Sequence, residues 1–322
     1  MIRIVLAALS AYCLLDLAVS LLVAVIWRTR AVAPTNLPPV VRARRLLQLR
    51  LVPGLAAAAI TLLVVLPAFA IFEPTHIDEE IGPLFALLAA AALAQWVVAA
   101  GIAARSMWLT SRVEREWLRK SSAIEASRSA GLRAFAVESP SPMVALVGVF
   151  APKLIASTSI VDACSAEEIA CISGHERGHF DARDNLKRWI MASLPDMLRW
   201  TPMHQEIVNA WHHSAEDAAD DATTGGEPIA RAELAALLVK IVRLAPAPSW
   251  NAAVISPFVE QHGLERRVLR LLQPELEPPA PLAIVPVIAL LGVSLAMLAA
   301  ISSPVMLEMI FTTIERLVAF GR

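Results

Sequence analysis

Four long apolar stretches constrain this chain more than any other feature of its sequence. They are residues 4–26, 51–72, 83–104 and 280–303, and the only charged residue within them is Asp16. A helix needs about 20 apolar residues to cross the ~30 Å hydrocarbon core of a bilayer, so each stretch is long enough. Apolar runs of this length are seldom buried helices of a soluble domain. The sequence therefore predicts a mainly α-helical membrane protein with four transmembrane helices.

The composition supports the same class and excludes several others. Hydrophobic residues make up 57% of the 322 residues and charged residues 18%, which excludes a disordered chain. Three cysteines are too few for a disulfide scaffold. The net charge of −1 gives no reason to expect nucleic acid, which is usually bound by a basic face. The lipid bilayer is the expected partner, and the oligomeric state is not readable.

The charges between the apolar stretches predict the orientation. The first loop contains no acid and six arginines: Arg28, Arg30, Arg42, Arg44, Arg45 and Arg50. Residues 73–82 contain four acids and no Lys or Arg. The positive-inside rule then places the first loop and the segment after the third stretch in the cytoplasm. We expect a multi-pass protein of the cell (inner) membrane with both termini outside, and an uncleaved first helix, because its apolar run is too long for a signal peptide.

Asp16 lies near the middle of the first stretch. A carboxylate at this depth faces protein or water and is often functional. A polar contact with another transmembrane helix is the interpretation that we favour over a chemical role.

Residues 175–179 read His-Glu-Arg-Gly-His, the spacing of a zinc-binding helix. Residues four apart share a helix face, so His175 and His179 can bind one zinc ion while Glu176 takes a proton from a water molecule. Ser165 and Glu168 have the spacing of a capping box and predict where this helix begins.

A catalytic zinc site needs a third protein ligand, and the candidates lie on a second predicted helix. This helix begins at Thr201-Pro202 and runs to about Thr224, before two glycines. Glu216 and Asp220 share one of its faces, so one carboxylate can bind zinc and the other can orient a ligating imidazole. Glu216 is the favoured ligand, and the competing candidates are His212, His213 and Asp217.

These motifs together resemble the glutamate zincins of membranes, including HtpX and the CAAX prenyl proteases. Residues 152–155, 165–168, 183–186 and 264–272 narrow the resemblance to the BlaR/MecR-type antirepressor peptidases. The predicted order of three spans, a cytoplasmic zinc domain and a fourth span also resembles that family. Two features differ from that family: only 19 residues follow Ser303, so no penicillin-binding sensor domain is expected, and Arg177 stands where the motif is usually apolar. We expect the Arg177 guanidinium to lie at the edge of the site and to be compatible with activity.

The resemblance implies a role for each matching residue. It implies that His175, His179 and Glu216 bind zinc (Zn²⁺) and that Glu176 is the general base. Asp220 would contact a ligand and not the zinc ion. Asp184 and Asn185 would fix the end of the zinc helix and the following turn, and metal ligation by Asp184 is a minor alternative. Arg267 would contact substrate or a developing oxyanion, although a surface arginine is the favoured interpretation of this position. His262 is a similar candidate.

Two short strands are predicted upstream of the zinc helix, at residues 143–150 and 153–156. An edge strand beside a zinc site can bind an extended peptide. Pairing between core strands is equally compatible with the sequence.

The predicted fold is thus four transmembrane helices with an embedded α+β zincin-like domain. Residues 1–104 carry three spans and a basic loop, 105–279 the cytoplasmic metallopeptidase domain, 280–303 the fourth span, and 304–322 a short amphipathic tail at the outer interface. The predicted function is zinc-dependent endopeptidase cleavage of a cytoplasmic or membrane-proximal protein. Regulatory signalling is the predicted role of this cleavage. The alternative is a non-catalytic membrane signalling or scaffold protein that retains the fold.

Overall fold

The computed structural model describes most of the chain. The described residues are 2–28, 37–72, 82–125, 129–139, 142–244, 255–257 and 263–273, with the two positions Thr312 and Arg316. The predicted fourth span and His262 lie outside them. Of the predicted tail, only Thr312 and Arg316 are described, and both are helical and exposed.

Three helices of the described residues are long and apolar enough to cross a membrane. The first is α1, and the second begins as α2, passes through a π-helical turn and ends as α3. The third is α4. Their bounds are Ile2–Arg28 for α1, Pro39–Ile60 for α2, Thr61–Val65 for the π-helical turn, Leu66–Phe72 for α3 and Pro83–Leu118 for α4. Three of the four predicted spans therefore correspond to such helices.

Two of these helices extend well beyond their apolar stretches. Helix α2 begins 12 residues before the apolar run at Leu51, so that Arg42 and Arg50 lie on a helix rather than in a loop. Helix α4 has 36 residues and is about 54 Å long at about 1.5 Å per residue, more than a bilayer core requires. It continues without a break across the predicted domain boundary at residue 104.

Asp16 is fully buried between helices. The Gln95 Nε2 atom on α4 donates to its Oδ2 atom over 3.3 Å. The predicted polar contact with another transmembrane helix is therefore confirmed.

The rest of the described chain forms a small sheet surrounded by helices. The strands are β1 Ser122–Ala123, β2 Ala134–Val137, β3 Val144–Val147, β4 Lys153–Ser157 and β5 Ile255–Pro257. The helices are α5 Thr158–Ala163, α6 Ala166–Ala182, α7 Asp184–Ser193, α8 Pro202–Thr224, α9 Pro228–Leu244 and α10 Leu264–Leu272. A 3₁₀ helix, Met197–Trp200, lies between α7 and α8.

The sheet has the order β1-β2-β4-β3-β5, and only the β2–β4 pair is parallel. The two predicted strands correspond to β3 and β4, which pair with each other with Ala145 opposite Ile155. Because β5 pairs with the other side of β3, β3 is not an edge strand in the described sheet. The structure thus shows core pairing, and the edge-strand interpretation of β3 is wrong.

One hydrophobic core joins the sheet to the helices that carry the candidate site. Leu146 and Leu154 from the sheet, Ile172 from α6 and Leu238 from α9 are each 0–2% exposed within it. Leu271 of α10 belongs to the same core. This packing fixes α6 and α10 relative to the sheet and so determines where their polar side chains meet.

Candidate metal centre

Helix α6 presents the two histidines of the motif. The predicted capping box is present: the Ser165 side chain accepts from the Glu168 backbone N–H, and the Glu168 side chain accepts from the Ser165 backbone N–H. The helix ends at Arg183, whose φ of 55° lies in the left-handed region. This turn brings Asp184, at the start of α7, back toward His179.

Helix α8 brings the carboxylates to the histidines. It spans the predicted residues and ends at Gly225 in the left-handed conformation. Helices α6 and α8 approach closely at Gly178, where an added Cβ would lie 3.2 Å from the Ala219 Cα atom. Since Gly178 precedes His179 and Ala219 precedes Asp220, this crossing places the two polar faces together.

His175, His179 and Glu216 form a group that could hold a metal ion. The two imidazole Nε2 atoms are 3.2 Å apart. The His175 Nε2 atom lies 3.4 Å from Glu216 Oε2, and the His179 Nε2 atom lies 3.4 Å from Glu216 Oε1. In tetrahedral zinc sites the ligand atoms lie about 3.3–3.4 Å apart, because each is about 2.0–2.1 Å from the metal. The three residues therefore fit the spacing that zinc requires.

A carboxylate lies behind each imidazole. The His179 Nδ1 atom is 2.8 Å from Asp184 Oδ2, and the His175 Nδ1 atom is 3.1 Å from Asp220 Oδ1. An ionised carboxylate only accepts hydrogen bonds, so the nitrogen beside it carries the hydrogen. In the neutral form of each ring, Nε2 is then the nitrogen that is free to bind a metal ion.

Glu176 is fully buried, and neither of its carboxylate oxygens has a hydrogen-bond partner. Burial raises the pKa of this carboxyl group, and His179 and His175 oppose the rise. A buried carboxylate without partners is costly and is often found where a ligand or water belongs. Its position on α6 puts it beside the cluster, with the properties of a proton acceptor.

The cluster favours a positive charge between its ligand atoms. Burial lowers the pKa of His179, but Glu216 and Asp184 outweigh burial and raise it to about 10. The pKa of Glu216 is held well below its usual range despite burial, mainly by His179 and Arg267. This electrostatic environment suits a cation.

Two arginines surround Glu216. Arg267 is only 2% exposed, so the interpretation of this residue as a surface arginine is wrong. Its Nε and Nη2 atoms donate to the two oxygens of Asp220 over 3.0 and 2.6 Å, and its Nη1 atom lies 3.0 Å from Glu216. Arg188 of α7 lies 3.6 Å from Glu216 and was not predicted, although it is four residues after Asp184 and so shares its helix face.

The competing ligand candidates are placed elsewhere. Asp217 is fully buried, but its carboxylate binds Arg42 of α2 and Arg266 of α10 over 2.6–2.8 Å. His212 and His213 are outside the metal-binding group of the described residues, and burial lowers the pKa of His212 to about 3.

Arg177 and Asn185 have structural contacts. The partly exposed Arg177 binds both oxygens of Asp181 over 2.9 Å. The Asn185 side-chain amide donates to the backbone carbonyls of Leu146 and Gly148 over 2.9 and 2.8 Å. It thereby ties the start of α7 to strand β3, as expected of a residue that fixes the turn.

A comparison with known families decides what kind of domain holds this centre. Residues 104–255 match the model of Peptidase family M48. We call this matched part of the chain the M48 domain. The match indicates a metallopeptidase, and with the three membrane helices it indicates a membrane-associated one. No curated protein matches the chain.

The M48 domain contains every residue of the three-ligand group, together with Glu176, Asp184 and Asp220. It begins within α4 and ends at the first residue of β5. Arg267 lies beyond the match, yet it contacts Glu216 and Asp220 inside the M48 domain. The centre is therefore completed by α10.

Proposed function

We propose that this chain is an integral membrane zinc-dependent endopeptidase. The observation that carries the proposal is the buried, unpartnered carboxylate of Glu176 beside a group whose geometry fits zinc. The M48 match supports a peptidase. The narrower resemblance of the sequence motifs to antirepressor peptidases is our reason for proposing a role in regulatory signalling. A zincin that had lost its activity would be expected to have lost at least one site residue. The presence of His175, Glu176, His179, Glu216 and Asp220 therefore argues against a non-catalytic scaffold.

His175, His179 and Glu216 would hold the zinc ion. When bound, zinc polarises the scissile carbonyl group and lowers the pKa of a water molecule toward about 7. The chain's own contribution is to hold three ligand atoms in place and to leave a position open. Asp184 and Asp220 would keep the two imidazoles in the correct tautomer.

Glu176 is the proposed general base. Its raised pKa brings the carboxylate closer to the pKa of the water from which it takes a proton. The protonated Glu176 can then deliver that proton to the leaving amine, since burial stabilises the neutral acid. Burial of the whole group at 0–6% exposure excludes bulk water from this exchange.

Arg267 is a positioning residue in this proposal. Its guanidinium already binds Asp220 and Glu216, so its donors are directed at carboxylates of the site. Bidentate pairing fixes the Asp220 carboxylate behind His175. We therefore assign Arg267 to ligand orientation instead of to an oxyanion contact.

The proposed substrate is a cytoplasmic or membrane-proximal protein. The peptidase helices lie at the same end of the membrane helices as the basic first loop: Trp27 at the end of α1 donates to Glu206, and Arg42 near the start of α2 binds Asp217. The positive-inside rule places that end in the cytoplasm.

The test compares protein fragments in cells that carry the wild type, Glu176→Gln or Glu167→Gln. Glu167 is exposed on the same helix, so its variant controls for the loss of one carboxylate. We expect new N-termini with the wild type and Glu167→Gln that are absent with Glu176→Gln, at equal zinc content. Identical fragments from all three would support the scaffold alternative.

A further inference from the structure

The connection between α7 and α8, residues 194–201, packs against the membrane helices. The Met197 backbone N–H donates to Asp16 of α1 over 2.7 Å, and the Tyr12 hydroxyl of α1 donates to the Pro195 carbonyl. An added Cβ at Gly54 of α2 would lie 3.0 Å from the Leu194 side chain. The segment is thus enclosed by α1 and α2.

The depth of Asp16 indicates how far the segment enters the bilayer. Asp16 is 14 residues from Ile2 and 12 from Arg28, about 21 and 18 Å at about 1.5 Å per residue. It therefore lies near the middle of a helix that is long enough to cross the membrane. Gln95, which binds the same carboxylate, lies 12 residues into α4 and agrees with this depth.

Two charged side chains of the segment are bound by protein, as a hydrocarbon environment demands, whereas the buried His204 Nδ1 atom has no hydrogen-bond partner. Asp196 pairs with Arg50 over 2.6 Å, and both side chains are fully buried. Arg199 donates to the carbonyls of Ala192 and Leu194. The Asp196 side chain also accepts from the Arg199 backbone N–H.

The exposed side chains of the segment are compatible with lipid. Within residues 194–204 only Trp200, at 65%, and Pro202 are exposed. The first exposed polar side chain is Gln205, and the following Glu206 accepts from the indole of Trp27 near the end of α1. Exposed large apolar side chains of α1 continue up to Val25, at 63% exposure. On α1 and at the start of α8, exposed side chains thus change from apolar to polar at the same depth.

We propose that residues 194–204 form a re-entrant segment of the M48 domain that lies in the hydrocarbon core of the bilayer. The segment enters from the side of the zinc centre, reaches the level of Asp16 and returns as α8. Its partner is lipid on the face of Trp200 and Pro202, and protein elsewhere. The proposal concerns membrane placement and does not depend on peptidase activity.

One consequence is that the membrane helices hold two of the helices that contribute side chains to the metal centre, α7 and α8. Asp184 begins α7 and Glu216 lies on α8, and the segment that joins these helices is bound by Asp16 and Arg50. Asp16 is then a positioning residue for the turn, which explains a carboxylate in the middle of an apolar helix.

Site-directed spin labelling in liposomes tests the placement. In a background without cysteine, with Cys13, Cys164 and Cys171 replaced by alanine, single labels are placed at Trp200→Cys and Pro202→Cys. Leu17→Cys, exposed on α1 next to Asp16, is the lipid reference, and Asn209→Cys, exposed on α8, is the aqueous reference. Each variant is first checked for an unchanged unfolding temperature.

The measurement is the ratio of collision with molecular oxygen to collision with a water-soluble nickel chelate. Oxygen concentrates in hydrocarbon and the chelate in water, so the ratio reports depth. We expect both segment labels to have ratios close to that of Leu17→Cys and severalfold above that of Asn209→Cys. Ratios for both that equal the aqueous reference would overturn the proposal. If only the Trp200→Cys label gives the lipid-like ratio, the segment still enters the bilayer, because Pro202 begins α8 on the way out.

Discussion

At the residue scale, the carboxylates around His179 determine how the centre exchanges protons for metal. With a pKa of about 10, the metal-free imidazole is protonated at neutral pH. Zinc binds only the neutral ring, so binding must release this proton. We expect about one proton released per zinc at pH 7–8, and an apparent affinity that rises about tenfold per pH unit up to about pH 10. Calorimetry in buffers with different ionisation enthalpies measures the release.

The same shift affects the stability of the metal-free protein. The folded-state pKa of His179 lies above the ordinary value of 6.5, so its protonation stabilises the fold fully below pH 6.5. This contribution is lost as pH rises toward about 10. In Asp184→Asn one of the groups that raise the pKa is removed, and proton release at pH 8 should decrease. Zinc binding without proton release in the wild type would contradict the assignment.

The sequence predicts the residues of the site where spacing carries the information. His175, Glu176 and His179 share a short motif, and Glu216 and Asp220 are four apart on a helix with clear ends. In the structure His175, His179 and Glu216 lie close enough together to hold a metal ion. Arg267 was misread because a charge on an amphipathic helix usually faces water. A signal was present, however: Leu264, Val268 and Leu271 pack against the core, and Arg267 falls on their stripe at the i, i+3, i+4, i+7 spacing.

At the element scale, the α6–α8 crossing controls the metal geometry. Gly178→Ala places a Cβ 3.2 Å from Ala219 Cα, so the two helices must separate by a few tenths of an ångström. Gly174→Ala is the matched control, because its Cβ meets the Thr223 methyl group at an ordinary 3.6 Å. Both changes improve helix propensity by about 1 kcal/mol. We expect roughly tenfold weaker zinc binding in Gly178→Ala alone, of the size seen when ligand orientation is disturbed.

A competition titration with a zinc chelator gives both affinities. Equal affinities for Gly178→Ala and Gly174→Ala would show that the crossing tolerates a methyl group and that the glycine serves another purpose.

Element ends were predictable where a local signal marks them and not where tertiary packing decides. The capping box and Gly225 mark the ends of α6 and α8, and the structure agrees. Hydropathy alone predicts that the second and third membrane helices are no longer than their apolar stretches. In the structure α2 begins before its apolar stretch and α4 continues after its own. Contacts with the peptidase elements support those extensions, such as Arg42 with Asp217 and Glu114 with Lys153. A hydropathy window contains no such information.

At the scale of the whole molecule, the orientation in the membrane decides which proteins the centre can reach. Residues 27–50, between the first two apolar stretches, contain six arginines, and residues 73–82 contain four acids, so we expect the M48 domain in the cytoplasm and both termini outside. A phosphatase reporter that needs export should be active after Arg322 and inactive near residue 120. A reporter fused within the acidic loop should be active as well. The reverse pattern would exclude a cytoplasmic substrate.

The whole-molecule arrangement also shows why the sequence alone assigns α8 wholly to the cytoplasm. Its first turns continue a segment that contacts Asp16 and Arg50, while Asp217, near its other end, binds Arg42 and Arg266. Isolated charges at 196 and 199 argue against a membrane location unless their partners are known. Those partners lie 146 residues away in one case, Arg50 with Asp196, and no local pattern identifies them.

The most direct test of the central claim is elemental analysis of the detergent-purified protein. The account predicts about one zinc per chain in the wild type and in Glu176→Gln, because Glu176 is not a ligand. It predicts loss of zinc in Glu216→Ala and in the double variant His175→Ala with His179→Ala. Near-full zinc occupancy in the double variant would contradict the metal centre proposed for these residues.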